Sequence, residues 1–231
     1  MILLLQIQTV PDSLTNPEIT EKTLSVVDLI TSGGIGGNLV MGALGILSIF
    51  AIYILIERFS SIKKASEEDK NFLKSIQNFV EAKDIEAAKA LCRNTDSPIS
   101  RMIEKGVNRI NKPMTDISAA IENQGKLEVF KMENNLANLA TISGAAPMIG
   151  FLGTVIGMIV AFHEMASAGG NIDVEMLSKG IYTAMTTTVA GLIVGIIAFI
   201  AYNYLVSKVD KVVFMLEAKT TEFLDLLHHN E

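Results

Sequence analysis

The sequence predicts an all-α, polytopic membrane protein with three transmembrane helices and long helices extending from them into the cytoplasm. Three observations predict it. Residues 29–56, 134–162 and 180–207 contain no Lys, Arg, Asp, Glu or His, and each covers the roughly 20 apolar residues that a bilayer-spanning helix needs. Of the 231 residues 49% are hydrophobic and only 19% charged, and those charges are confined to the segments outside the apolar runs. The polar regions show helical spacing of apolar positions and no alternating strand pattern.

Taken in order, residues 1–37 form an outer arm with Pro11, Pro17 and several acids. Residues 1–10 lack a basic n-region and a small-residue cleavage site, so they read as a retained N-terminus rather than a signal peptide. Residues 18–30 fit a short amphipathic helix on the outer surface. Gly33, Gly34, Gly36 and Gly37 then predict a flexible lead into the first span, 38–56.

Residues 57–140 make the cytoplasmic helical domain. Asp84 predicts an N-cap for 85–92, and Ser97 predicts a cap for a helix with Pro98 at its first position. Asn111, Lys112 and Pro113 break the pattern. From Thr115 nothing stops a helix before the second span, so 115–162 is expected to be continuous and about 70 Å long, with Pro147 as its one kink. The second span is 141–165, the outer loop 166–178, the third span 179–206, and 207–231 a cytoplasmic amphipathic helix continuing it.

Orientation follows from the cations. Fourteen of the 19 lysines and arginines fall between Glu57 and Ala140, and three more follow Ser207. The positive-inside rule then puts the N-terminus and the 166–178 loop outside and the large domain and C-terminus inside. Tyr53, Tyr202 and Tyr204 suit inner interfacial anchors. The net charge of −6 belongs to the water-exposed parts and offers no basic face for nucleic acid. Cys92 is the sole cysteine, which rules out an internal disulfide and reads as a reduced thiol. His228 and His229 lack metal-ligand spacing, the carboxylates and lysines of the cytoplasmic helices read as a solvated face, and no catalytic constellation is present. No enzyme activity, cofactor or metal is expected.

The second and third spans carry the chemistry. Gly150, Gly153, Thr154, Gly157 and Ala161 recur at steps of three or four, and Ala184, Thr188, Gly191, Gly195 and Ala198 repeat the arrangement. Small faces let membrane helices approach closely, so Gly191 and Gly195 read first as packing residues. A lone membrane Thr usually bonds its own helix backbone. Five threonines (Thr154, Thr183, Thr186, Thr187 and Thr188) in two helices beside small residues point instead to a mildly polar path through an assembly. Thr186, Thr187 and Thr188 project about 100° apart, so at most two face one path. No ionisable residue lies within the runs, although pumps normally mark their ion path with one. His163 and Glu164, just past the second span, read as headgroup anchors.

The stretch from Ala146 and Pro147 through Gly150, Gly153, Thr154 and Gly157 resembles the second-span motif of the MotA/TolQ/ExbB proton-channel family, in its ExbB/TolQ branch. Gly180 to Ala184, then Thr188 to Gly191 and on to Asn203, resembles its third span. Ala90 to Cys92 followed by Ser97 and Pro98 is similar to a cytoplasmic signature. The resemblance implies a homopentamer around a central pore. Its second and third spans would surround a single-span ExbD/TolR-type partner that carries the titrating Asp and passes work to a TonB-type or Tol protein at the inner membrane. It assigns Thr154 and Thr188 to the pore lining and Pro147 to the second-span motif; the threonine cluster adds Thr183 and Thr187 as candidate lining residues, and Pro147, Gly150, Gly153, Gly157, Gly191 and Gly195 read as kink and packing residues. Relatives commonly carry Glu where this chain has Thr183, so the chain relies on its partner for an acid. A Tol-type role, a flagellar-stator role and a passive oligomeric scaffold are the competing expectations.

Overall fold

The computed structural model describes residues 34–66, 71–167 and 174–229, and among them every regular element is a helix. They are α1 (Gly34–Ser66), α2 (Phe72–Glu81), α3 (Ile85–Asn94), α4 (Pro98–Val107), α5 (Met114–Glu133), α6 (Leu136–Ser167) and α7 (Val174–His229). Three of the described helical segments are long and apolar enough to cross a membrane, built on α1, on α5–α6 and on α7. The helix expected over 18–30 lies outside the described residues.

The apolar segments bury little within the chain because they are apolar on all sides. Ile49 is 72% exposed, Met148 73% and Ile200 63%, a surface suited to lipid or to other membrane helices. Beyond them, α2, α4 and α5 pack against the C-terminal half of α7, and α3 packs on α2 and α4. Ile76, Ile103, Ile121, Val212, Leu216 and Phe223 are fully buried there and form one water-excluding core. The capping expectations hold: Asp84 Oδ1 accepts from the Ala87 amide at 3.0 Å, and Ser97 Oγ accepts from the Ser100 amide at 3.2 Å in a reciprocal capping box with Pro98 at the first position.

Three expectations are corrected. Gly34, Gly36 and Gly37 are helical residues of α1, not a flexible lead, and a Cβ built on Gly36 would lie 3.0 Å from Ile156 Cγ2. Close approach of α6 favours glycine there as a helical residue. The solvated reading of the cytoplasmic carboxylates fails at Glu128, which is 2% exposed.

The last correction concerns the helix expected over 115–162, which is broken at Asn134 and Asn135. Asn135 has φ 65°, the left-handed region that Asn tolerates better than most residues. The break frees carbonyls in the last turn of α5. Arg58, 8% exposed just past the C-terminal end of the first charge-free run, donates Nη1 to Lys131 O at 2.9 Å and satisfies one of them. Pro147 lies inside α6, which continues past it on both sides.

Candidate functional site

The seam between α6 and α7 is where the predicted site residues meet. Glycine removes the Cβ that would hold the two backbones apart. A Cβ built on Gly150 would lie 2.7 Å from Thr187 O and 3.1 Å from Gly191 Cα, and one on Gly191 would lie 2.5 Å from Ala146 O. Gly157 faces Ala184 Cβ at 2.7 Å and Gly195 faces the Pro147 ring at 2.6 Å by the same construction. Gly153 would strike the Thr187 side chain and, at 2.9 Å, Val40 of α1. The Pro147 ring thus fills a notch that only glycine at 195 leaves open.

This contact places threonine hydroxyls across the seam. Thr154 Oγ1 and Thr188 Oγ1 hydrogen-bond directly to each other. Thr188 Oγ1 donates to Gly150 O at 3.1 Å, so Thr154 Oγ1 shares its one proton between Thr188 Oγ1 and Ala184 O, the latter at 3.2 Å. Thr187 Oγ1 donates to Gly150 O at 3.1 Å and to Ala184 O at 2.7 Å. The positions differ in reach: Thr187 is 2% exposed and enclosed between the helices, whereas Thr154 and Thr188 are half-buried. Thr183 and Thr186 each donate to their own helix, to Gly180 O and Tyr182 O at 3.0 Å, the bland arrangement of membrane threonines. Chemically, the half-buried pair can exchange a backbone acceptor for a guest carboxylate by rotating a hydroxyl. His163 and Glu164 are exposed at the far end of α6.

Sequence reasoning missed a second polar constellation, beyond the spans at the end where α4 and α5 lie. Glu128 accepts from Arg101 Nε at 3.0 Å and Nη2 at 2.8 Å, from Lys131 Nζ at 2.9 Å and from Gln124 Nε2 at 2.8 Å. Arg101 Nη1 continues to Asp96 Oδ1 at 2.8 Å, and Asp96 Oδ2 accepts from Lys64 Nζ at 2.6 Å. The chain of contacts ties the first span, the loop before α4 and α5 together. Burial, the largest effect on Glu128, pushes its carboxyl up, but hydrogen bonds and charge from Arg101 and Lys131 outweigh it and hold the carboxyl below the usual range. The visible signal was the spacing Gln124, Glu128, Lys131 on one helix face. Among the described residues no group of three His, Cys, Asp or Glu side chains could hold a metal.

The sequence pattern of the MotA/TolQ/ExbB proton channel family matches residues 94–218, which include all the seam contacts between α6 and α7 and Glu128 with its direct partners, and the chain belongs to that family. Among curated relatives, a putative biopolymer transport protein ExbB homolog of Methanothermobacter thermautotrophicus is 26% identical over 80% of this chain and 64% of its own length. The biopolymer transport protein ExbB of Helicobacter pylori is 40% identical over 34% of this chain and 54% of its own length. The Tol-Pal system protein TolQ of Pseudomonas aeruginosa is 23% identical over 92% of this chain and 96% of its own. The chain therefore spans less than two thirds of the first two relatives. Together they support the ExbB/TolQ branch and a multi-pass membrane protein.

Proposed function

We propose that this chain is an ExbB-like subunit of an inner-membrane motor driven by the proton motive force. In this reading several copies, five by family resemblance, surround the single transmembrane helices of an ExbD-type partner. Work done on that partner is passed to a TonB-type protein and energises outer-membrane transport. The N-terminus and the loop after α6 lie on the periplasmic side, and the cytoplasm holds α2 to α5 and the lower half of α7.

The observation that carries it is the paired hydroxyls of Thr154 and Thr188, set within two charge-free runs that supply no acid of their own. A charged aspartate at mid-bilayer costs about 2.5–3.5 kcal/mol on insertion scales, while one charge moved through 100 mV gains about 2.3 kcal/mol. Those sums are close enough that a few hydroxyl hydrogen bonds decide whether a partner carboxylate is tolerated. When ionised, it accepts from Thr154 or Thr188. Once protonated it is neutral, and it leaves the pair for apolar surface. Alternation between these states couples proton passage to movement of one component against the other. Thr187 holds the seam at fixed spacing, and Thr183 stands where a relative's acid would add a second titrating group.

Replacing Thr188 with Val keeps nearly the same shape and removes one hydroxyl of the pair. In cells dependent on this subunit, the variant should assemble at wild-type size with its partner and lose proton-dependent work. Full activity of the variant contradicts the reading and favours a passive scaffold. A Tol-type role is the second reading, because the match to the Tol-Pal relative runs over 92% of this chain. Recovery of a TolR-type rather than an ExbD-type single-span protein from native membranes selects it.

A further inference from the structure

Just past the inner ends of the charge-free runs, α1 and α7 frame a groove of about 330 Å³. Its floor is apolar, with Ile62 3% exposed and Leu205 fully buried. On one wall Phe59 stacks on Tyr204, with ring centroids 6.3 Å apart and planes at 21°. Lys63 from α1 and Lys208 and Lys211 from α7 line its mouth. Lys208 Nζ sits 5.4 Å from the Tyr204 ring centroid, and among the described residues no carboxylate pairs with any of the three. Their neighbour Lys64 is different, being held by Asp96 at 2.6 Å. Three cations thus converge on one cleft from two helices, in a chain whose net charge is −6.

Depth identifies the occupant. At 1.5 Å per residue, Lys208 and Lys211 lie about 2 and 6 Å past the third charge-free run, and Phe59 and Lys63 about 5 and 10 Å past the first. The polar layer of each leaflet is about 5–8 Å deep, and a lysine stem reaches back several ångströms along apolar surface. The ammonium groups therefore sit at phosphate level, and the aromatic pair and apolar floor at the level of glycerol and the first methylenes. Lysines near an inner membrane face commonly do no more than set topology. Here they share a shaped groove with an aromatic wall and lack acidic partners, and a basic pocket between spans on the cytoplasmic side suits a phospholipid headgroup.

The geometry points to an anionic phospholipid site in this groove, with Lys63, Lys208 and Lys211 on the phosphate and the Phe59–Tyr204 pair against the glycerol and upper acyl chain. This inference rests on the spans alone and survives failure of the proposed motor. Glu67, Glu68 and Asp69 follow α1 in the sequence and lie outside the described residues. If they neutralise the lysines, the preference tested below vanishes.

The test uses the full chain purified as its native oligomer in mild detergent. It is offered phosphatidylglycerol and phosphatidylcholine of identical acyl chains, and retained lipid is quantified by native mass spectrometry. Phosphatidylglycerol should be preferred. The triple variant K63Q/K208Q/K211Q should lose roughly a hundredfold in that preference, at about fivefold per lysine, while the triple Lys→Arg variant and K64Q keep it. Equal retention of the two lipids by the wild type overturns the site, as does an undiminished preference in the triple Gln variant. If the Gln variant fails to assemble, the wild-type comparison and the Arg variant still decide. Displacement of phosphatidylglycerol by millimolar inorganic phosphate would assign the lysines to free phosphate instead. A disulfide formed between copies through Ser66→Cys would show that a second copy covers the groove, and would also overturn the lipid reading.

Discussion

Gly191→Ala tests the seam most directly. A Cβ there would lie 2.5 Å from Ala146 O and 2.9 Å from Gly150 Cα, so reaching ordinary 3.4 Å contact with the carbonyl requires α6 and α7 to part by about 0.9 Å. The hydroxyls of Thr187 and Thr188 both donate to Gly150 O at 3.1 Å. Parting stretches both to about 4 Å, beyond hydrogen-bonding range. Hydrogen bonds between membrane helices average about 0.6 kcal/mol and reach about 1.7, so the two losses amount to about 1–3 kcal/mol. Lost packing along the seam adds to this, and the better helix propensity of Ala offsets up to about 1 kcal/mol. The net expectation is a destabilisation of about 2 kcal/mol, or roughly 4–8 °C for a chain of this length, read by thermal unfolding of the purified protein. Gly45→Ala in α1 is the control, because a Cβ there meets nothing within 4 Å, and it should be neutral or mildly stabilising. Gly191→Ala melting no lower than Gly45→Ala would refute the claim that direct backbone contact holds the seam.

Other outcomes follow from the charged helices and the break between α5 and α6. Glu128 has its carboxyl held below the usual range when folded, so its contribution is complete above that range and is lost as pH falls through the lowered value. Glu128→Gln should lower stability at pH 7 by about 2 kcal/mol, short of the 3–5 of a fully buried pair because Arg101 is partly solvated, and should flatten the acid limb of a melting-temperature profile. Burial first, and then the charge of Glu104, push the Cys92 thiol up to about 12. A maleimide at pH 8 should leave Cys92 unmodified in the native protein and label it after denaturation. Asn135, at φ 65°, should accept Gly with little change, whereas Val should cost about 1–2 kcal/mol in denaturant unfolding.

Much of the fold was legible because each clue was local. A charge-free run of apolar residues has one low-energy state in a bilayer, a helix whose backbone satisfies itself. Asp84, Ser97 and Pro98 acted within one turn, so their spacing was enough. The break at Asn134 and Asn135 was not legible, because an Asn pair inside an apolar helical pattern is compatible with continuation. Arg58 stabilises the break from 73 positions away in the sequence. Glu128 misled for the same reason, since its own helix shows a polar face and the bidentate partner that encloses it, Arg101, lies 27 residues back.

By itself, the sequence determined three spans, their small-residue faces and the absence of an acid within them, because hydrophobic length and residue size are properties of each segment alone. Tertiary structure decided which threonines matter to one another. Thr187 and Thr188 are adjacent and chemically identical, yet α6 encloses the first at 2% exposure and leaves the second half-buried beside Thr154. Helical rotation of about 100° per residue separates their directions, but the direction that meets Gly150 is set by how two helices dock, and docking is a property of the pair.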